Sequence, residues 1–149
     1  FIQLLDQHPM FEVVALTASD RSVGKTYAEA VHWILPDPMP SWAGSLVVRP
    51  TDPGSAQVPL AISALPADAA VEVEPAFAHA GTMICSNASS YRMEPDVSIL
   101  FPEVNPDQAK VIEVQRRLRG WSGHCGFGNG HQHRHSFWMV RHHRSGRYG

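Results

Sequence analysis

Apolar residues fall along this chain in two alternating rhythms. Phe1, Ile2, Leu4 and Leu5 recur at helical spacing with Gln3, Asp6 and Gln7 opposite, and Pro9 stops the pattern. Val13, Val14, Ala15 and Leu16 then make an unbroken apolar run, which predicts a strand buried on both faces of a parallel sheet. Residues 46–48, 60–65, 82–86 and 97–100 predict four more strands. A short helical or irregular piece at 27–33 and the Pro-rich loop LPDPMP lie between the first two. Asp68 is the predicted N-cap of a helix reaching His79 and Ala80, with Val71 and Ala78 toward the sheet, a kink or restart at Pro75, and Gly81 as stop. A further helix starts at Pro106 and passes Val111, Ile112 and Val114 before Gly120 ends it; its basic end, Arg116, Arg117 and Arg119, complements the carbonyl terminus. Five strands alternating with helices predict an α/β fold with a doubly wound, mostly parallel sheet.

Charge changes this picture at one end. The chain has 149 residues, one domain's worth, and all 14 of its Asp and Glu residues lie at or before Glu113. From Gly120 onward there is no acid, while six of the nine histidines collect there. Residues 1–121 are therefore expected to fold, and 122–149 to form a Gly/His/Arg-rich irregular tail, disordered or read from a shifted frame. No stretch approaches a membrane span, and no basic-then-apolar leader opens the sequence. Phe1 falls inside a helical pattern, so a preceding segment is expected to be missing. Cys85 and Cys125 give no disulfide framework and suit a reducing compartment; Cys85 reads as a small buried strand residue.

Ligands of open α/β sheets sit beyond the carboxyl ends of the strands. Three stretches fall there. Ser19, Asp20, Arg21 and Ser22 lead into Gly24 and Lys25, a loop that reads as a ligand contact or as an ordinary polar connection. Ser63, Ala64 and Leu65 end a strand in small residues that permit close approach. Arg92 beside Ser86, Asn87, Ser89 and Ser90 reads as an anion receiver or as a solvated turn; arginine offers a planar, permanently charged pair of donors. The glycine-rich turn that holds a dinucleotide pyrophosphate against a helix is not present.

The separated motifs FIQLL, HPMFEVVAL, ASDRSVGK, SALP, SNASSYRMEPDV and PEVNPDQ together resemble aspartate-semialdehyde dehydrogenase, in its fungal and archaeal branch. That resemblance implies a Rossmann-type NADP-binding domain, lacking its first strand here, and a second domain that carries catalytic and dimer contacts. It implies NADP-dependent reductive dephosphorylation of aspartyl 4-phosphate to aspartate 4-semialdehyde, in the route to lysine, threonine and methionine, by a cytoplasmic homo-oligomer. Ser19, Arg21 and Ser22 fall where the family meets the cofactor's 2′-phosphate; Ser63, Ala64 and Leu65, with Asn87 and Ser89, line the cofactor cleft. Arg92 falls on the arginine that binds substrate or inorganic phosphate. The partners so implied are the small-molecule substrate and phosphate, with no nucleic acid and no membrane.

The departures point to a fragment that is inactive by itself. The family's nucleophilic cysteine lies in an N-P-N-C motif, and the sequence after Trp121 holds none; Cys125, between His124 and Gly126, is not assigned that role. Without its first strand the sheet is expected to carry a gap at its centre or to close up over it, with weak or absent NADP binding and exposed edges. Two other readings remain. His131, His133 and His135, near His124, Cys125, His142 and His143, would suit a non-catalytic metal- or nucleotide-binding protein that uses its tail. An acetylglutamyl-phosphate reductase relative would run similar chemistry.

Overall fold

A computed structural model describes residues 1–55, 57–101, 103–127 and 136–142. After the short helix α1 (Ile2–Leu5), β1 (Phe11–Thr17) runs through the middle of one half of the sheet. Val13 and Leu16 pack with Ile2, Tyr27 and Ala43, whereas Ala15 packs with Ala61, Phe77 and Ile84 on the opposite side. In a regular strand residues two apart share a face. The pairing of β1 shifts register between Val13 and Ala15, and this irregularity rephases the strand. An unbroken apolar run thereby serves two separate cores.

The elements that follow are α2 (Tyr27–Ala30), α3 (Ser41–Gly44), β2 (Val48–Arg49), β3 (Leu60–Ala64), α4 (Ala67–His79), β4 (Met83–Ser86) and β5 (Ser98–Ile99). A 3₁₀ turn (Pro106–Lys110) leads into α5 (Val111–Arg119), and β6 (His124–Phe127) and β7 (Ser136–His142) complete the described chain. α2 opens with a capping box, in which the Thr26 hydroxyl accepts the Glu29 amide while the Glu29 carboxylate accepts the Thr26 amide. Gly81 (φ 98°) and Gly120 (φ 66°) close α4 and α5 in the left-handed region, as their placement in the sequence predicts.

Among the described residues, seven strands form one sheet in the order β2-β1-β7-β3-β4-β6-β5. The pairs β1·β2, β3·β4, β4·β6 and β5·β6 are parallel. β7 is antiparallel to both β1 and β3, so β1 and β3 point the same way and six carboxyl ends share one edge. The α/β, mostly parallel architecture is as expected, but the expected central gap is filled. β7, from the stretch read as an irregular tail, supplies the backbone partners that β1 and β3 would otherwise lack.

Several local expectations are corrected. The predicted boundary after residue 121 does not end the sheet: β6 pairs with β4 and β5, Cys125 is buried, and the Gly123 amide donates to the Ala78 carbonyl at 2.8 Å. α4 begins one residue after Pro66, with Asp68 inside its first turn and no side-chain cap; Val71 is outward, and the helix is unbroken through Pro75. β5 is two residues at the sheet edge rather than a strand buried on both faces, and Ile99 is exposed there. Cys85 is exposed, because β4 alternates and turns Ile84 and Ser86 to the core and Met83 and Cys85 away from it.

Gly123 tests how far the fold extends. A Cβ there would stand 2.1 Å from the Thr82 carbonyl oxygen and 2.9 Å from that of Ala78, both backbone atoms that cannot swing aside. Gly123→Ala is expected to cost about 3 kcal/mol in urea unfolding. Gly120→Ala, where nothing lies within 4 Å and only the positive φ is strained, is expected to cost about 1 kcal/mol. Equal effects would place the 121–127 segment outside the cooperative unit.

Candidate functional site

The shared carboxyl edge of the parallel strands brings the sequence-selected stretches to one side of the molecule. After β1 the chain turns at Ser19, whose carbonyl accepts the Ser22 amide at 2.9 Å. The later part of this loop is tied to β2 by Gly24 N to Val48 O and Val48 N to Lys25 O, each 2.9 Å. Thr51, beyond β2, donates its hydroxyl to the Ala18 carbonyl at 3.1 Å. The Thr51 hydroxyl thus holds the start of the loop and backbone contacts hold its end, while Ser19 and Arg21 are exposed and Ser22 half-buried. Two hydroxyls and a guanidinium on a held loop are a donor set for a dianion.

At the ends of β3 and β4 the picture differs from the sequence reading. Ser63 is fully buried, and its hydroxyl donates to Glu74 Oε1 at 2.7 Å, on the α4 side of the sheet. Its carbonyl accepts the Asn87 amide at 2.8 Å. Ser63 therefore shapes the edge through its backbone, while Leu65, only partly buried, lies beyond the strand end. Ser86 donates to the same Glu74 oxygen at 2.6 Å and accepts the Ala88 amide at 3.0 Å. The Cys125 thiol donates to Glu74 Oε2 at 3.4 Å. Burial pushes the Glu74 pKa up, against the opposing pull of these three donors. Burial, together with the Glu74 charge, raises the Cys125 thiol far above its ordinary value. It stays protonated at neutral pH and is a poor nucleophile.

Glu74 escaped the sequence reading, although a signal was present. Ala70, Glu74, Phe77 and Ala78 are the buried positions of α4, at helical spacing, so an acid stands on the apolar stripe. Gln115 is the same case on α5: its side-chain amide donates to the carbonyls of Asp96 and Cys125, both at 3.0 Å, and its oxygen accepts the Cys125 amide at 2.8 Å.

The loop from Asn87 to Asp96 carries three sequence-selected residues: Asn87 half-buried, Ser89 and Arg92 exposed. Arg92 Nη2 lies 3.5 Å from the Asn87 carbonyl, and the Arg92 amide donates to Ser89 O at 3.2 Å. Ser90 and Tyr91 donate their hydroxyls to Ala67 O and Val71 O on α4, at 2.7 and 2.8 Å. Arg119 grips the far end, with Nε 2.5 Å and Nη2 2.6 Å from the Asp96 carboxylate, and its guanidinium also lies against the Tyr91 and Trp121 rings. Hydrogen bonding to Arg119 holds the Asp96 carboxyl below the usual carboxylate range. The basic end of α5 is thus committed to specific partners, since Arg116 Nε also donates to Gly123 O at 3.2 Å. The dipole match expected from sequence is only part of its role.

Of the histidines weighed as metal ligands, His124 is buried on β6, with no hydrogen-bond partner for Nδ1 among the described residues. His131, His133, His135 and His143 lie outside the described residues, and of His142 only the backbone is described. Among the described residues no group of three His, Cys, Asp or Glu side chains could hold a metal ion. None of the described helices is long and apolar enough to cross a membrane.

The semialdehyde dehydrogenase NAD-binding domain model matches residues 1–112. Aspartate-semialdehyde dehydrogenase of Archaeoglobus fulgidus is 49% identical over 123 residues, covering 83% of this chain and 36% of the relative. That of Methanothermobacter thermautotrophicus is 51% identical over 124 residues, covering 83% and 35%. The crystal structure of the Candida albicans enzyme with NADP superposes with a TM-score of 0.76 at 35% identity, over 87% of this chain and 38% of that one. The chain thus spans about a third of the length of the relatives it matches.

The buried carboxyl of Glu74 yields a pH test. Its pKa in the fold is raised above the ordinary 4.5, so the stability it contributes is complete below that pH and is lost as pH rises through the folded value. Glu74→Gln cannot ionise. It is expected to match the parent in acid and to melt roughly 2–5 °C higher near neutrality, the gap widening with pH. A gap constant from pH 4 to 8 would show that the carboxyl does not titrate with folding.

Proposed function

Because the chain belongs to the semialdehyde dehydrogenase NAD-binding domain family, we propose that it is the nucleotide-binding part of an aspartate-semialdehyde dehydrogenase specific for NADP. The loop after β1 carries this reading: Arg21 is exposed, flanked by Asp20 and Ser22 with Ser19 one residue further back, at the strand end where open α/β sheets take their ligands. On this reading Ser19, Arg21 and Ser22 hold the 2′-phosphate. Ala64 and Leu65, with Asn87 and Ser89, border the cofactor's course, and Ser63 acts there through its carbonyl. Arg92 receives the phosphate of the substrate or inorganic phosphate.

The residues fit one end of the cofactor and not the other. Hydroxyls and a guanidinium suit the 2′-phosphate. A pyrophosphate is held where a parallel strand leaves the sheet and turns into a helix. Between β1 and β3 stands β7, which enters the sheet from that edge instead, so this cradle is not formed there among the described residues. NADP, when bound, supplies or accepts a hydride. Among the described residues the chain's share is to bind and orient. Its buried thiol, Cys125, is held protonated against Glu74 and does not serve as nucleophile. The parent enzyme is read as a cytoplasmic homo-oligomer converting aspartyl 4-phosphate to the semialdehyde, as the family resemblance implies.

Calorimetric titration of the chain with NADP and with NAD is the test. NADP is expected to bind at least about tenfold more tightly, and Arg21→Ala to erase that difference by removing about 1.5–3 kcal/mol of charge-assisted hydrogen bonding while leaving NAD unchanged. Equal affinities for the two dinucleotides in the parent chain would overturn the reading.

A second outcome concerns Arg92. Arg92→Ala is expected to lower inorganic phosphate affinity by at least about tenfold with an unchanged melting temperature, and an unaltered phosphate isotherm would remove Arg92 from the site.

A further inference from the structure

Pro75 sits in the third turn of α4 without interrupting it. Proline has no N–H, so the helix loses the hydrogen bond that residue 75 would donate to the carbonyl four residues earlier. That carbonyl belongs to Val71. It is the acceptor of the Tyr91 hydroxyl at 2.8 Å. The neighbouring Ser90 hydroxyl reaches Ala67 O, one helical turn before Val71, at 2.7 Å. The loop is thus laid along one stripe of α4, on a backbone acceptor that the proline has freed.

We propose that Tyr91 is the positioning residue for Arg92, docking the loop on the Val71 carbonyl that Pro75 leaves without its helical donor. The inference rests on the reading of Arg92 as a phosphate ligand. Tyr91 is the immediate neighbour of Arg92 and is fixed from two directions. Its hydroxyl is held by α4, and its ring lies 5.4 Å from the Arg119 guanidinium of α5. Arg119 also binds Asp96, and Gln115 binds the Asp96 carbonyl, which fixes the loop's exit. Ser86, held by Glu74, accepts the Ala88 amide and fixes its entrance. Between those anchors the segment from Ser89 to Glu94 makes turn contacts, Arg92 N to Ser89 O at 3.2 Å and Glu94 N to Tyr91 O at 3.1 Å, and the Glu94 carboxylate lies 3.4 Å from Arg119 Nη2. Tyr91, next to Arg92 in the chain and held at both its hydroxyl and its ring, thus sets where Arg92 stands along the carboxyl edge. An arginine whose backbone is already placed gives up less freedom when it closes on an anion.

The signs of two substitutions separate positioning from general support. Tyr91→Phe keeps the ring against Arg119 and removes only the hydroxyl. It is expected to weaken inorganic phosphate binding about fivefold by calorimetry, with the melting temperature within about 2 °C of the parent. Pro75→Ala restores a helical donor to Val71 O in competition with Tyr91. It is expected to raise the melting temperature, because alanine suits a helix interior far better than proline, and yet to weaken phosphate binding about threefold. A residue that merely supports the fold would move stability and binding in the same direction. Phosphate affinities equal to the parent in both variants would overturn the proposal.

Amide hydrogen exchange decides the docking apart from the ligand. If Arg92→Ala binds phosphate as the parent does, the reading of Arg92 fails. The docking then stands if Tyr91→Phe speeds exchange of the Arg92 amide about fivefold, and falls if that rate is unchanged.

Discussion

A carboxyl group with no access to water has to find its hydrogen bonds inside the protein, and much of this sheet is arranged around that requirement at Glu74. Its two oxygens take hydroxyls from β3 and β4 and a thiol from β6, three neighbouring parallel strands. A charge left unpaired at that depth would cost several kcal/mol, so the strands cannot shift relative to α4 without a large penalty. Ser86 passes the constraint to the loop that follows it, and Cys125 passes it through its backbone to Gln115 and on to Asp96. The carboxyl edge is held from beneath by this buried network.

How much of this could be read from sequence depends on whether the signal was local. The parallel strands, the closing glycines and the positions of the edge loops follow from short apolar runs and turn residues, and they appear where expected. The buried acid did not declare itself, because by composition nothing local sets Glu74 apart from Glu72, which is exposed two residues earlier. Only its three- and four-residue spacing to Ala70, Phe77 and Ala78 places it inside. Cys85 was misread for a related reason: a short strand with one covered face has the same composition as one covered on both. Pairings between distant segments left no trace at all. Nothing in SFWMVRH says that it will lie between residues 11–17 and 60–64.

Family membership and site geometry bear on different parts of the function. The matched region supplies the fold that places Arg21 and Arg92 along one edge, and relatives carry the same region within chains about three times as long. Geometry adds that the two arginines are held by different means. Arg21 stands on a loop tied by its backbone to β2, whereas the loop of Arg92 is fastened by side chains to two helices. The first rests on backbone contacts and the Thr51 hydroxyl. The second depends on a handful of polar atoms.

The antiparallel β7 also bears on how the molecule reaches its fold. The two halves of the sheet, β2 with β1 and β3 through β5, touch across a strand that is the last of the described chain to be synthesised. During translation each half can assemble early, but neither can pair with the other until residues 136–142 emerge and close a loop of more than a hundred residues with β1. Contacts that distant slow folding far more than they alter final stability. For much of its synthesis the chain would hold two facing strand edges open, β1 and β3, so productive folding depends on β7 arriving before those edges find another partner.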